Sequence, residues 1–424
     1  MSKVNVVGIS KAKVHPLNNQ SSYSPYRNNS VLNFEIAPQA DRMIDPRTLR
    51  LNFELEVRKT AGNAFPAGDL SAGEDVNLDS RIGINSIWDL IRIRQQTTND
   101  VLEETRNYGF MASATMPSGV SLNNYKKYIS NLYGAFGRDA VEAQSLSQAL
   151  PVSLILRTGL CSSQSLWNLQ ALGGLRIELV MNSLSQVLHG ADADDFYYQI
   201  TNPNITFNYV NLASPIGSNQ YQVAYPLYTS FSSVISSSND QLSLVFAQNQ
   251  VRSVFSTTIK SANLNNFEQN AFTTDRLVDN ADADQKVQEL IFYKDSVKFP
   301  LDYILNERDA VSNGVYEALK NREFLSCFQD FTKIANTLQS VITQGTKSHR
   351  SGKYGYDVAD GRAYTGIGIN YDRLRNSASV SFQNSMFALR VGSQLTDGTP
   401  NNVHVFTLSN RMLQTNPSGA NQVS

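Results

Sequence analysis

Leu49-Arg50-Leu51-Asn52-Phe53-Glu54-Leu55-Glu56-Val57-Arg58 is the stretch that decides the fold. Its odd positions are all apolar and its even positions all polar. Side chains along a strand point alternately to opposite faces, so this segment presents one dry face and one wet face. A helix would spread both sets around its circumference. Each buried apolar side chain contributes roughly 1.5–3 kcal/mol, so a slip of one residue, which would bury the polar set instead, is strongly disfavoured. The reading is one strand of an antiparallel sheet that packs on a core through one side.

The flanking segments extend the pattern. Val31-Leu32-Asn33-Phe34-Glu35-Ile36-Ala37-Pro38 alternates in the same way, and Asp45-Pro46-Arg47 predicts a turn, with proline fixing φ. An acidic, glycine-bearing loop follows over residues 60 to about 79. Residues 87–93 resume a β pattern that is partly apolar on both faces and therefore deeply placed. Leu122, Tyr125, Ile129, Leu132, Tyr133 and Phe136 fall at helical spacing, with Ser121 as a cap and Gly134 and Gly137 near the end. Strands over 152–156, 175–179, 197–200 and 205–212 complete a first block of about eight, the number in a jelly roll.

At Ala213-Ser214-Pro215-Ile216-Gly217-Ser218 the composition turns to linker type. A second block then replays the first, roughly 200 residues later. Asp89-Leu90-Ile91-Arg92-Ile93 is echoed by Glu289-Leu290-Ile291-Phe292-Tyr293, and Leu175-Arg176-Ile177 by Phe387-Ala388-Leu389-Arg390-Val391. Ile205-Thr206-Phe207-Asn208-Tyr209 is echoed by Val403-His404-Val405-Phe406, and the helix at 122–136 by one over about 315–338. The expected fold is all-β: two tandem eight-stranded antiparallel jelly rolls, each with a short helix between strands. The expected division is an extended N-terminal arm over residues 1–30, a first jelly roll over 31–214 and a second over 215–424. The arm carries Lys3, Lys11, Lys13 and Arg27, has no acidic residue and shows no lasting periodicity. Such a segment is expected to become ordered only against another body.

Composition narrows the function. In 424 residues, 36 Lys and Arg nearly balance 37 Asp and Glu, so no global field draws the chain to nucleic acid or membrane. Only 17% of residues are charged, below the usual quarter or so, and a polar but sparsely charged surface desolvates cheaply in protein contacts. Cys161 and Cys327 form no zinc or redox motif and no disulfide framework. No apolar run approaches the roughly 20 residues of a membrane span, and no signal peptide is visible. Synthesis in a cytosol without secretion is the expectation.

The search for chemistry assigns no catalytic, cofactor-binding or metal-binding residue. His15, His189, His349 and His404 lack the spacings of metal motifs. Asp192, Asp194 and Asp195, and Asp279, Asp282 and Asp284, lack the order and glycine of a calcium loop, which favours solvated connections. Thr365-Gly366-Ile367-Gly368-Ile369 lacks the third glycine and the lysine of a phosphate cradle, and reads as a bend in a sheet. The sequon Asn204-Ile205-Thr206 has no meaning without secretion.

Two β blocks in tandem, with a helix in each, resemble the double jelly-roll major capsid proteins of the adenovirus and tailless membrane-phage lineage. The virophage, polinton-like and adintovirus-like members are the nearest in pattern. The likeness rests on the strand from Val31 to Pro38 leading through Asp45-Pro46 into the Leu49 strand, and on Asn107-Tyr108-Gly109 after the edge Val101-Leu102-Glu103. It rests also on Gly173-Gly174 before Leu175-Arg176-Ile177-Glu178-Leu179, and on the closing run from Val403 to Leu413. It spans about residues 30 to 415.

The resemblance implies a virion protein whose partner is itself. Three chains of two lobes give a homotrimeric, pseudo-hexagonal capsomer that tiles an icosahedral shell. Penton or minor capsid proteins are further expected partners, and the arm is expected to face neighbouring trimers or the interior. Three other readings compete: a β-sandwich binding module such as a spike or carbohydrate-recognition protein, a metal-dependent bicupin enzyme, and a single jelly roll with a large insertion.

Overall fold

The structure is a computed structural model. It describes residues 6–67, 74–79, 82–119, 148–163, 165–215, 221–236, 239–272, 289–299, 304–306, 327, 366–371, 379–392, 400–415 and 421–423. The first half contains β1 (Val6–Val14), β2 (Ser22–Tyr23), β3 (Val31–Ile36), β4 (Arg42–Lys59) and β5 (Trp88–Gln95). After them come β6 (Val101–Thr105), α1 (Tyr108–Gly119), β7 (Leu150–Leu154), β8 (Trp167–Asn168), β9 (Leu175–Met181) and β10 (Phe196–Leu212). The second half opens with β11 (Gln222–Ile235), β12 (Asn239–Val245), β13 (Val251–Lys260), β14 (Glu289–Lys294) and β15 (Val297–Lys298). It ends with β16 (Ile304–Asn306), β17 (Gly366–Asn370), β18 (Met386–Gly392), β19 (Asn401–Thr415) and β20 (Asn421–Val423).

No sheet among the described residues mixes the halves. The first half forms sheets of order β1-β10-β4-β7 and β3-β9-β5-β6; the second forms β11-β19-β13-β17 and β12-β18-β14-β15. These orders match strand for strand, so the chain is two eight-stranded antiparallel jelly rolls, here called lobes, with β2, β8, β16 and β20 as short additions. The three strand echoes of the sequence fall on equivalent places: β5 with β14, β9 with β18, and β10 with β19. A single jelly roll with an insertion is excluded by the complete second pair of sheets.

The Leu49 stretch lies within β4 and packs as its alternation requires. Leu49, Leu51, Phe53, Leu55 and Val57 are all at most 4% exposed. The turn expected at Asp45-Pro46-Arg47 is instead a bulge inside the strand. Asp45 pairs with Asn208 and Arg50 with Thr206, leaving residues 46–49 opposite Phe207. Proline cannot donate to a ladder, and a bulge accommodates it. Thr48 Oγ1 donates to the Asp45 carbonyl at 2.7 Å and fastens the loop. Likewise the expected strands 197–200 and 205–212 are one strand, β10, with a register shift at Asn202-Pro203 and Asn202 at φ 52°.

The expected N-terminal arm needs correction. Residues 6–14 form β1, which pairs with β10 from Val6 opposite Leu212 to Val14 opposite Ile205. Tyr23, in β2, is fully buried. The first jelly roll therefore begins at β1 and not at residue 31. Its inward positions are Gly8, Ser10, Ala12 and Val14, too small or polar to make a hydrophobic period, although Ala12 and Val14 pack on the core.

The helices expected over 122–136 and about 315–338 lie outside the described residues, Cys327 excepted. A different helix, α1, follows β6, and its residues 108–115 are all buried. No described helix is long and apolar enough to cross a membrane. The main core fills the first lobe and continues into the second through Tyr225 and Leu227 of β11 and Phe406 and Leu413 of β19. A separate aromatic cluster, Phe246 with Phe382 and Phe387, fills the far side of the second lobe.

Candidate functional site: the seam between the lobes

The two lobes meet at a seam, where the outer face of the β11-β19-β13-β17 sheet packs on the first lobe. Alternation places Phe255 of β13 opposite Phe406 of β19, with ring centroids 5.4 Å apart. Both belong to the first lobe's core, whereas their neighbours Val254 and Val405 face the second lobe's own core. One sheet thus serves two cores, which is why β13 is buried along nearly its whole length.

Three contacts fix the register of the seam. Tyr225 Oη donates to the Leu102 carbonyl of β6 at 2.7 Å, and Tyr221 Oη donates to the Leu166 carbonyl at 2.8 Å. At Gly159 an added Cβ would lie 1.3 Å from the Pro226 carbonyl oxygen, so only glycine allows this approach of two backbones. Gly109, at the start of α1, is similarly required, since a Cβ there would meet the Phe272 ring at 2.7 Å.

Two titratable groups are sealed in the same region. Glu103 of β6 is fully buried and accepts hydrogen bonds from the backbone N–H groups of Gly159 at 2.6 Å and Leu160 at 2.8 Å. Burial nevertheless pushes its carboxyl up to about 7, against the pull of those donors and of the Arg411 charge. His404 of β19 stacks on Phe110 of α1, with centroids 4.1 Å apart and planes at 10°. Its Nδ1 lies 3.1 Å from Ser232 Oγ, which accepts from Asn107 Nδ2 of the first lobe at 3.3 Å. Nε2 is buried without a hydrogen-bond partner among the described residues. Burial holds the imidazole down at about 4.

The residues weighed in the sequence for chemistry are scattered. His15 is exposed just after β1, and His189 exchanges backbone hydrogen bonds with Asn77 at 2.7 and 3.0 Å. Only His404 lies at the seam. His349, Asp279, Asp282 and Asp284 lie outside the described residues. Asp192 accepts from the Asp75 backbone N–H at 2.7 Å, and Asp194 and Asp195 sit in a short 3-10 helix. Among the described residues no group of three or more His, Cys, Asp or Glu is placed to hold a metal ion. The glycines at 366 and 368 belong to β17, in regular register with β13 and not at a bend. A Cβ at Gly368 would lie 2.6 Å from Cys327 Sγ, so that glycine makes room for a buried thiol. Cys161 is buried beside Glu103, and burial pushes its thiol up to about 12. What the described residues of the seam supply is packing and hydrogen bonding between the lobes.

No protein-family model and no curated protein matches the sequence. Solved structures do match the fold. A chain of the cryo-EM structure of the Sputnik virophage is 10% identical with a TM-score of 0.57, over 100% of this chain and 89% of that one. The mavirus major capsid protein is 11% identical with a TM-score of 0.53, over 100% and 92% of the two chains. The Faustovirus major capsid protein is 9% identical with a TM-score of 0.58, over 97% and 91%. Likeness at such identities speaks for architecture alone, and on that ground this chain has the double jelly-roll fold of these viral major capsid proteins.

Proposed function

We propose that this chain is the non-enzymatic major capsid protein of an icosahedral virus, acting as a homotrimeric, pseudo-hexagonal capsomer. The observation that carries the reading is the strand-for-strand duplication of one jelly roll, with both copies welded through a shared core. A welded pair of similar lobes supplies one third of a ring with six similar lobes. The full-length likeness to viral capsid chains points the same way. Its site of action is the virion, after synthesis in the host cytosol, and minor or penton proteins close the positions that a six-lobed tile does not fit.

An obligate contact between copies needs on the order of 2,000 Å² or more of buried surface. Native mass spectrometry of the purified full-length chain tests this directly. Three-chain particles that associate into shells are expected; a monomer with affinity for glycans would instead identify a binding module.

A further inference from the structure

Two buried polar atoms stand opposite one another in the seam. Thr257 of β13 pairs directly with His404 of β19, which puts their Cβ atoms roughly 5 Å apart on one face of the sheet. By alternation that face also carries Phe255, Ile259 and Phe406, all members of the first lobe's core. His404 Nε2 and Thr257 Oγ1 are each buried without a hydrogen-bond partner among the described residues. No other two such atoms among the described residues stand on residues paired across a ladder. On its other flank Thr257 pairs with Gly366 of β17, which brings no side chain to that side. The second ring nitrogen of His404, Nδ1, is engaged by Ser232, an exposed residue at the rim of the seam.

We propose that a single water molecule is bound here, bridging His404 Nε2 and Thr257 Oγ1, and that this bridge keeps the imidazole flat against Phe110. Buried polar groups are nearly always hydrogen-bonded, and leaving one unpaired costs stability. The two atoms make no direct bond although their residues face each other, and one intervening oxygen spans such a separation. The occupant must be able both to donate and to accept. Nε2 is a donor or an acceptor according to the tautomer that Ser232 selects, and the threonine hydroxyl can be either. Water satisfies every combination. An ion would bring a full charge among Phe110, Phe255, Ile259 and Phe406, at a far greater desolvation cost. The bridge completes a hydrogen-bonded line across the seam. It runs from Asn107 of the first lobe through Ser232 and the imidazole to Thr257, inside the second lobe's sheet.

The site lies within one chain, so its test is independent of the capsomer reading. Thr257→Val keeps the shape of the side chain and removes the hydroxyl. In the full-length protein at pH 8, T257V strands Nε2 and lowers the thermal melt by about 2–4 °C, the shift of one lost hydrogen bond in a domain of about 150–250 residues. In a His404→Phe background no ring nitrogen remains to be stranded. There the same change is neutral or raises the melt, since removing both partners leaves nothing unpaired. A crystal or cryo-EM structure of the full chain at about 2 Å resolution shows a density peak roughly 2.7–3.2 Å from both atoms. A T257V melt at or above that of the wild type, a loss that persists in the H404F background, or no peak between the two atoms would each overturn the proposal. A peak about 2.0–2.1 Å from Nε2 would mark a metal ion and overturn it as well.

Discussion

The two lobes share one strand order, but the outer faces of their equivalent sheets differ in composition. On the β11-β19-β13-β17 sheet the outer face is aromatic and dry, built on Phe255, His404 and Phe406. On the β1-β10-β4-β7 sheet the same face is polar over most of its extent. There Asn52 Nδ2 donates to Thr206 Oγ1 at 3.0 Å, and Ser153 Oγ donates to Asn52 Oδ1 at 2.8 Å. Apolar side chains on this face gather at its β1 corner, and at the other end Tyr197, paired with Arg58, stacks on Tyr26. The scaffold is therefore indifferent to what covers it. Burial between the lobes goes with aromatic residues, whereas the equivalent face of the first lobe carries polar and charged groups, Arg50, Asn52, Glu54 and Glu56 among them.

The largest effect expected from this asymmetry concerns the two cores. Phe53→Ala, in the first lobe's core, should cost about 3–5 kcal/mol, and Phe387→Ala in the second lobe's separate cluster should cost a similar amount. The outcomes should differ in kind. The first lobe provides the seat for β11 and β19, so Phe53→Ala should lower the whole calorimetric transition. Phe387→Ala should loosen the second lobe first and split that transition in two. Equal, single transitions for both variants would erase the distinction drawn here.

Next comes the pH response of the seam. Glu103 in the folded chain titrates at about 7, raised from 4.5, so the folded state holds its proton more tightly than the unfolded state. Its contribution is fully present below about pH 4.5 and is lost as pH rises through about 7, by about 3 kcal/mol. His404 works in the other direction. Its imidazole is lowered from 6.5 to about 4, so stability is present above pH 6.5 and is lost on acidification towards pH 4, again by about 3 kcal/mol. Melting temperatures from pH 4 to 8 should therefore show Glu103→Gln, neutral like the protonated carboxyl, close to the wild type at pH 4 and gaining on it as pH rises through about 7. His404→Phe, neutral at every pH and keeping the ring stack on Phe110, should run parallel to the wild type above pH 6.5 and gain on it towards pH 4. Parallel profiles for both variants and the wild type would show that neither group is sealed in the seam.

The smallest effect is that of Tyr225→Phe, which removes a single hydrogen bond across the seam and should cost about 1 kcal/mol. Hydrogen exchange should report it locally, at β6 and the leading half of β11.

How much of this was legible in the sequence follows from side-chain size and from burial. Leu49 to Val57 announced β4 because large apolar residues alternate there with charged ones. The echoes of β5, β9 and β10 survived the divergence of the halves because each central strand must keep its inward positions. β1 was hidden by its inward glycine, serine and alanine. α1 was hidden because its residues 108–115 are buried on all sides, so Tyr108, Phe110, Met111 and Ala112 show no helical stripe. The seam was the least visible part. Glu103 stands in Val101-Leu102-Glu103-Glu104, where nothing distinguishes the buried carboxylate from the ion-paired one next to it. The one available signal was the glycines at 109 and 159, whose need for a close approach is apparent only when the facing lobe is in place.

The central claim is that two fused lobes form one third of a six-lobed tile, and imaging of the purified chain in negative stain addresses it most directly. Class averages should show flat, three-fold particles with six lobes around a rim. Isolated two-lobed particles that persist at high protein concentration would contradict it.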